Sequence, residues 1–332
     1  MGKKIIQHQN DLIPMDNSSN ELFSSIQNYE EEGQKYLSFI PSFFTTASLP
    51  FKNMNKTVFV RKGSQGITLT LTSPKNVPFG KYGRLLLSIL TTHAVISKEK
   101  KVPVIIEYNS LSALLKEMQL PRQRGKEIQE QLECFKNAAF AFEQRVEEKQ
   151  QGYLFEHLYE EGEKLPKGEV TVKTVTTGNI RFTTGVQYQE ITDDQNDTRF
   201  GNFKILLSAE FASFCQDHAV PIDYTVYKEI TSAVGKDIYA WLVFRNNGPQ
   251  DHVFIPRERL VEQFMPVSED SDPKTANVNY ARIIDQIKEI KKKYYPELKV
   301  TFDKDNNGIT LYKSPTPVLK DDVRYALITS DI

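Results

Sequence analysis

The sequence is poor in the residues from which catalytic and metal centres are commonly built. It contains two cysteines, Cys134 and Cys215, and five histidines that lie far apart along the chain. Residues so few and so dispersed do not make a zinc site, and we expect both cysteines to be reduced. The chain also lacks a Gly-x-x-x-x-Gly-Lys-Ser/Thr loop for ATP and a His-x-His metal pair. We therefore predict a protein that is not an enzyme and that has no metal or cofactor.

Long apolar runs are missing as well. No stretch approaches the ~18 apolar residues of a membrane-spanning helix. The first four residues, MGKK, lead into polar sequence rather than into the apolar core of a signal peptide, and Ile6 breaks the myristoylation pattern. We expect a cytoplasmic protein that has no membrane partner.

The chain has no excess of either charge, because its formal net charge is −1. A surface for nucleic acid must therefore come from local segregation of charge. Residues 79–136 hold ten lysines and arginines against six glutamates, and residues 282–313 hold eight against five acids. Residues 146–163, in contrast, hold six glutamates and one lysine. Two locally basic regions are thus candidates for contact with a polyanion.

The first basic region, residues 79–142, has the pattern helix, strand, helix, basic turn, helix, strand. The three helical patterns lie at 85–93, 111–118 and 128–139, and the short apolar strand lies at 104–106. Pro121 ends the second helix, and RQRGK at 122–126 forms the positively charged turn. This order is typical of a winged helix-turn-helix, whose second short helix enters the major groove of DNA. In a single sequence this pattern often belongs to a helical packing unit that has no DNA role.

A second copy of the same order begins at Pro221. Two helical patterns lie at 222–232 and 237–245, and a strand lies at 252–255. A further helix follows at 256–265 and a long helix at 272–295. Two short strands then flank the sequence DNNG at 305–308, which is typical of a hairpin turn. We interpret the recurrence as a divergent internal duplication of a winged-helix unit. Two locally basic copies in a nearly neutral chain favour sequence-specific binding to duplex DNA.

The third helix of the first unit and the long helix of the second unit supply the candidate contacts with DNA. In the first unit the cations of the basic turn can neutralise phosphates at a helix N-terminus, and Gln129 is a candidate for reading a base. In the second unit Thr275, Asn279 and Arg282 are of types that reach base edges, since asparagine suits adenine and arginine suits guanine.

Lysines further along the second unit complete the prediction. Lys292 and Lys293 lie too far from the helix N-terminus for base contact, so they either touch the DNA backbone or are solvated. Lys304 belongs to the hairpin that forms the second wing. The full candidate set is Arg122, Arg124, Lys126, Gln129, Lys274, Thr275, Asn279, Arg282, Lys292, Lys293 and Lys304.

The predicted fold class is α+β, with two tandem winged helix-turn-helix domains and a flexible N-terminal arm. Residues 1–55 form the arm, since they are polar with short apolar patches, and we leave open that the arm orders partly on the first domain. The acidic segment around 146–200 is longer than a simple wing requires, and we interpret it as an enlarged β wing. The predicted domains after the arm are 56–215, 216–318 and a C-terminal tail at 319–332.

The chain resembles the plasmid-encoded RepA-type replication initiators. The resemblance is carried by FGKYGRLLLSILTTHAVISK, LSALLKEMQL, RGKEIQEQLECFKNAAFAF, ILLSAEFASFCQDHAVPIDYTVYKEITSAVGKDIYAWLVFR and VTFDKDNNGITLYKSPTPV, in colinear order over roughly residues 75–318. It implies a protein that binds directly repeated sites, called iterons, at a plasmid origin. It further implies opening of nearby DNA and recruitment of the host initiator and replicative helicase. In similar initiators a dimer represses the protein's own gene and a monomer starts replication.

Two alternatives stay open at this point. A transcription regulator with duplicated winged helices and no role in replication would recognise an operator palindrome rather than tandem direct repeats. A protein-interaction scaffold built from winged helices would show no salt-sensitive binding to DNA.

Overall fold

The computed structural model describes residues 35–63, 66–97, 102–151, 169–192, 198–246, 251–267, 272, 274–303, 305, 307–318 and 325–328. Its α-helices are α1 (Ser42–Thr46), α2 (Gly80–Ile96), α3 (Leu111–Glu117), α4 (Gly125–Phe135), α5 (Ala209–His218), α6 (Tyr224–Glu229), α7 (Ala233–Asn246), α8 (Arg257–Phe264) and α9 (Lys274–Lys293). Its strands are β1 (Lys35–Pro41), β2 (Val58–Lys62), β3 (Ile67–Thr72), β4 (Val104–Tyr108), β5 (Ala139–Gln151), β6 (Glu169–Arg181), β7 (Thr183–Thr192), β8 (Thr198–Leu207), β9 (Ala219–Asp223), β10 (His252–Pro256), β11 (Val300–Phe302), β12 (Gly308–Tyr312) and β13 (Tyr325–Leu327).

Unit 1 comprises α2, β4, α3, α4, β7 and β8. Helix α2 is buried along most of its length by its leucines and isoleucines. The Ser110 side chain caps α3 by accepting a hydrogen bond from the backbone of Ala113, and a 3-10 turn, Arg122–Arg124, joins α3 to α4. Strand β4 pairs with β8 and β8 pairs with β7, so the sheet order is β4-β8-β7.

Unit 2 comprises α7, β10, α8, α9, β11 and β12, and its sheet order is β10-β12-β11. In both units the strand before the second helix therefore lies beside the last strand of the unit. The long helix α9 buries a stripe of apolar residues at helical spacing, namely Tyr280, Ile283, Ile284, Ile287 and Ile290. Helices and strands share each unit, which confirms the predicted α+β class.

The long hairpin β5–β6 belongs to a different sheet from the wing of unit 1. It pairs with the hairpin β2–β3 in the order β2-β3-β5-β6. The prediction of one enlarged wing is therefore wrong for these strands: the wing is β7–β8, and β5–β6 is an insertion between α4 and β7.

Part of the predicted flexible arm lies in the core. Strand β1 pairs with β9 and, in parallel, with β13. Phe43 and Phe44 of α1 are buried against Phe140, with ring centroids 6.3 and 5.2 Å from it. Burial of this much apolar surface fixes residues 35–49 in place, so the arm prediction is wrong for them. Residues 1–34 lie outside the described part of the chain.

The predicted boundaries at 215/216 and 319 also differ from the structure. The first falls inside α5, which spans Ala209–His218 and packs on α2 of unit 1. The second would leave β13 in a free tail, yet this strand is paired with β1. Among the described residues no helix is both long enough and apolar enough to cross a membrane.

Units 1 and 2 are joined through buried polar contacts. Arg84 of α2 binds Asp237 of α7 with two hydrogen bonds, Nε to Oδ1 at 2.6 Å and Nη2 to Oδ2 at 2.7 Å. Both side chains are at most 5% exposed. The same guanidinium also donates to the backbone carbonyls of Leu49, Pro50 and Gly80. All donors of Arg84 are thus engaged at the contact between the two units.

Candidate nucleic-acid interface

The basic turn of unit 1 presents its cations to solvent. Arg122, Arg124 and Lys126 are all exposed. Arg124 Nη1 donates a hydrogen bond to Glu127 Oε1 at 3.0 Å, and this bond raises the pKa of Arg124 above its ordinary value. Arg122 and Lys126 form no ion pair with any residue that the structure describes. These two charges are available to an anion at the start of α4.

The turn carries one further cation that the sequence analysis missed. Lys81, in the first turn of α2, places its Nζ 5.1 Å from the centroid of the Tyr82 ring, and the Arg124 guanidinium lies 5.9 Å from the same centroid. The sequence did not indicate that Lys81 lies near the basic turn, because it stands more than 40 residues before that turn. The predicted base reader Gln129, in contrast, is half-buried in the space between α4 and strands β7 and β8.

Unit 2 exposes a matching set of cations on α9. Lys274, Arg282 and Lys292 are exposed and form no ion pair within the described part of the chain. Lys293 Nζ lies 2.6 Å from Glu289 Oε1, and the hydrogen bond raises the pKa of Lys293. Thr275 is half-buried. The predicted wing residue Lys304 lies outside the described residues.

The predicted adenine reader Asn279 is buried, and this prediction is wrong. Its side chain is turned toward the protein, where Nδ2 donates a hydrogen bond to the Met265 carbonyl at 2.9 Å. The sequence contained the signal, because Asn279 precedes Ile283 and Ile287 by four and eight residues and so belongs to the apolar stripe. A buried amide that is already bonded to the backbone is not available to a base.

A groove beside α9 contains the polar residues that the sequence analysis missed. Its lining includes Arg257, Asn277, Asp285 and Lys288, and its volume is about 370 Å³. Arg257 Nη2 donates to Asn277 Oδ1, and the guanidinium lies 5.0 Å from the centroid of the Tyr280 ring. Asn277 is the exposed asparagine of this helix end. Its amide oxygen accepts the hydrogen bond from Arg257 at the edge of this groove.

The two exposed faces have the chemistry of a phosphate-binding surface. Arginine and lysine bind phosphate oxygens, and a helix N-terminus attracts anions. Unit 1 places Arg122 and Lys126 at the start of its third helix, unit 2 places Lys274 there, and each unit has a three-stranded sheet of the same order. Among the described residues no group of three or more histidines, cysteines or acids is placed to hold a metal ion.

No protein-family model and no curated protein matches the chain. The solved structures that are similar to it at low identity include the following three. Domains 2 and 3 of RctB match with a TM-score of 0.48 at 9% identity, covering 84% of this chain and 99% of that chain. A second structure of RctB domains 2–3 matches with a TM-score of 0.39 at 10% identity, covering 80% and 93%. The Pi initiator protein in complex with iteron DNA matches with a TM-score of 0.44 at 11% identity, covering 88% and 100%.

Proposed function

We propose that this chain is a replication initiator that binds directly repeated sites in duplex DNA. The observation that carries the proposal is the pair of units with the same sheet order, with Arg122 and Lys126 exposed at the start of α4 and Lys274 exposed at the start of α9, none of them in an ion pair with a described residue. The resemblance of the sequence to RepA-type initiators favours replication over transcription control. The proposal extends to the events that this resemblance implies, namely origin opening, recruitment of the host initiator and helicase, and autorepression by a dimer in the cytoplasm.

The exposed residues support two different roles along each helix, namely contact with phosphates and contact with base edges. Arg122, Lys126 and Lys274 contact phosphates and fix the register of the protein on DNA, since backbone contacts carry no sequence information. Asn277, beside the groove, and Arg282, further along α9, are both exposed and read base edges. The two third helices enter successive major grooves about one helical turn, ~34 Å, apart, so that one protomer covers a repeat of roughly 20 bp.

Footprinting on the DNA that flanks the gene tests this proposal. We expect protected direct repeats of roughly 20 bp, with an affinity that falls steeply as salt increases. Protection of a palindrome would instead indicate a transcription regulator. No salt-sensitive binding would indicate a scaffold.

A matched pair of arginine variants locates the interface. Arg282→Ala should weaken binding and relax the preference at one base position, by about 1–3 kcal/mol. Arg259→Ala is the control, because Arg259 is also exposed but is paired with Glu262 on α8. An equal loss for Arg282→Ala on every sequence variant would assign Arg282 to phosphate instead.

A further inference from the structure

The outer face of the unit 2 sheet carries three aromatic rings that are open to solvent. The register of β10 with β12 places His252 beside Tyr312, and their rings are stacked with centroids 6.1 Å apart. Phe254 lies two residues further along β10, which places it about 6.8 Å along the same face. Phe254 is 50% exposed and Tyr312 is 41% exposed, and His252 is exposed as well. Three exposed rings on one face of a sheet indicate a binding partner.

The rings do not belong to the core of unit 2. The opposite face of the same sheet supplies that core, through the buried or half-buried residues Val253, Ile255, Val300, Ile309 and Leu311. Phe254 is held over the neighbouring strand, because a Cβ added to Gly308 of β12 would lie 2.8 Å from Phe254 Cζ. The ring is therefore placed in advance, with one side toward the sheet and the other toward solvent.

A cation stands in the same row as the stacked rings. The Lys299 carbonyl accepts a hydrogen bond from the Tyr312 backbone N–H, so the Lys299 side chain lies on the face of the rings. Lys299 is exposed and forms no ion pair with any residue that the structure describes. Asp303 lies at the other end of this face, where its Oδ2 accepts a hydrogen bond from the Asn307 N–H. The stacked rings and an unpaired positive charge thus share the end of the sheet that is remote from the turn.

The corresponding face of unit 1 has a different composition. There the register of β4 with β8 pairs Ile105 with Leu206 and Glu107 with Lys204. Glu107 and Lys204 are exposed and form an ion pair at 2.6 Å, and none of these four positions carries a ring. Because the two units share one strand order, the fold itself does not require rings on this face. The rings indicate a role that belongs to unit 2.

We propose that the ring face of unit 2 binds single-stranded nucleic acid. One base stacks on the His252–Tyr312 pair and the next stacks on Phe254, while Lys299 contacts a phosphate beside them. Stacking of this kind tolerates any sequence, since every base has a π face. A duplex fits less well, because its bases are already stacked on one another. The inference goes beyond the proposed contact of α4 and α9 with duplex DNA and does not depend on it.

Fluorescence anisotropy of a labelled oligothymidylate of about 16 nucleotides, titrated with the full chain, tests the proposal. An abasic strand of equal length is the control, because it carries the same phosphates without the bases. We expect saturable binding of oligothymidylate and binding of the abasic strand that is weaker by about fivefold or more. Equal binding of the two strands would mean that charge alone attracts them, and would overturn the proposal.

Alanine variants assign the binding to this face. Phe254→Ala and Tyr312→Ala should each weaken binding of oligothymidylate by about fivefold or more and leave binding of the abasic strand unchanged. Ile105→Ala is the matched control, because Ile105 is 59% exposed on the corresponding strand of unit 1, and it should change the affinity by less than about twofold. Binding to duplex repeats should stay the same in all three variants, since none of the residues assigned to duplex DNA is changed.

Phe254→Trp keeps a ring at the site and reports on stacking directly. Its fluorescence should be quenched by saturating oligothymidylate, whereas the wild-type signal should not change, because Trp241 is 0% exposed. The proposal is overturned if the wild type shows no saturable binding at up to about 0.1 mM protein, or if both alanine variants bind as the wild type does. It is also overturned if Phe254→Ala only dissociates a dimer, which would make this face an interface between copies of the chain. Since binding to duplex repeats is measured separately, failure here is distinguishable from failure of the proposed initiator function.

Discussion

At the scale of single residues, burial decides which polar side chains are available for recognition. Asn277 and Asn279 are two positions apart on α9, so helical geometry turns them to different sides. The first is exposed and bonded to Arg257, whereas the second is 8% exposed and bonded to the Met265 carbonyl. The same residue type therefore has two different roles within one helical turn.

Alanine variants of these two asparagines separate recognition from stability. Asn277→Ala should weaken DNA binding at one adenine-containing position and leave the free energy of unfolding within about 0.5 kcal/mol. Asn279→Ala should lower the free energy of unfolding by about 1 kcal/mol, because it leaves a backbone carbonyl without its donor. Urea unfolding and binding to single-base variants of the repeat measure the two effects. The assignment fails if the two variants exchange these phenotypes.

Lys236 shows the opposite case, a cation that is fully buried. Its Nζ donates to the Tyr227 and Lys228 carbonyls, and the side chain is 0% exposed. Burial, followed by the nearby charges of Arg84 and Lys81, holds the pKa of Lys236 well below its ordinary value. The folded protein therefore releases a proton from this group more readily than the unfolded chain does.

This lowered pKa predicts a definite pH dependence. Between the lowered pKa and about 10.4, the unfolded chain binds one more proton than the folded protein, so the free energy of unfolding rises with pH in that window. Lys236→Met should remove this slope, which urea unfolding at a series of pH values measures. Lys62→Met, at an exposed lysine of β2, should keep the slope. A slope that persists in Lys236→Met would show that another group titrates.

At the scale of secondary-structure elements, the sequence predicted whether a segment is a helix or a strand better than it predicted which strands pair. The apolar stripe of α9 and the DNNG sequence at 305–308 are local patterns, and the long helix and the pairing of β11 with β12 form where these patterns predicted them. The hairpin β5–β6 joins the hairpin β2–β3 through the pairing of β5 with β3. The residues paired in this way lie more than 65 positions apart in the sequence. Alternation along a strand identifies its buried face but not its neighbour. The polar composition of residues 1–55 likewise concealed β1 and α1.

In the β5–β6 hairpin, Gly178 lies close to the ring of Phe142, and a substitution at this glycine tests how the hairpin packs. A Cβ added to Gly178 of β6 would collide with the Phe142 ring of β5, which itself packs 5.1 Å from Phe43 and 6.0 Å from Phe214 between ring centroids. Gly178→Ala should therefore lower the free energy of unfolding by about 1–3 kcal/mol. Gly185→Ala, in β7, is the matched control, because nothing lies within 4 Å of its added Cβ. Equal stability of the two variants would contradict this packing.

At the scale of the whole molecule, the two units are coupled through charge. Arg84 and Asp237 form a buried bidentate pair between α2 and α7. Gln263 of α8 adds a second link, since its Nε2 donates to the Thr45 carbonyl of α1 at 3.1 Å. Both units therefore contact the segment that contains β1 and α1.

Removing the anion of the pair should uncouple the units. Asp237→Asn leaves the Arg84 charge buried without its counter-ion, and such a loss costs about 3–5 kcal/mol. Trp241, the single tryptophan, is buried in α7 and reports on unit 2, whereas far-ultraviolet circular dichroism reports on both units. The two signals should coincide in urea unfolding of the wild type and separate in Asp237→Asn, with the tryptophan transition at lower urea.

Glu262→Gln, which breaks the exposed pair with Arg259, should cost less than about 1 kcal/mol and keep the signals coincident. Coincident transitions in Asp237→Asn would mean that apolar packing, rather than this ion pair, couples the two units.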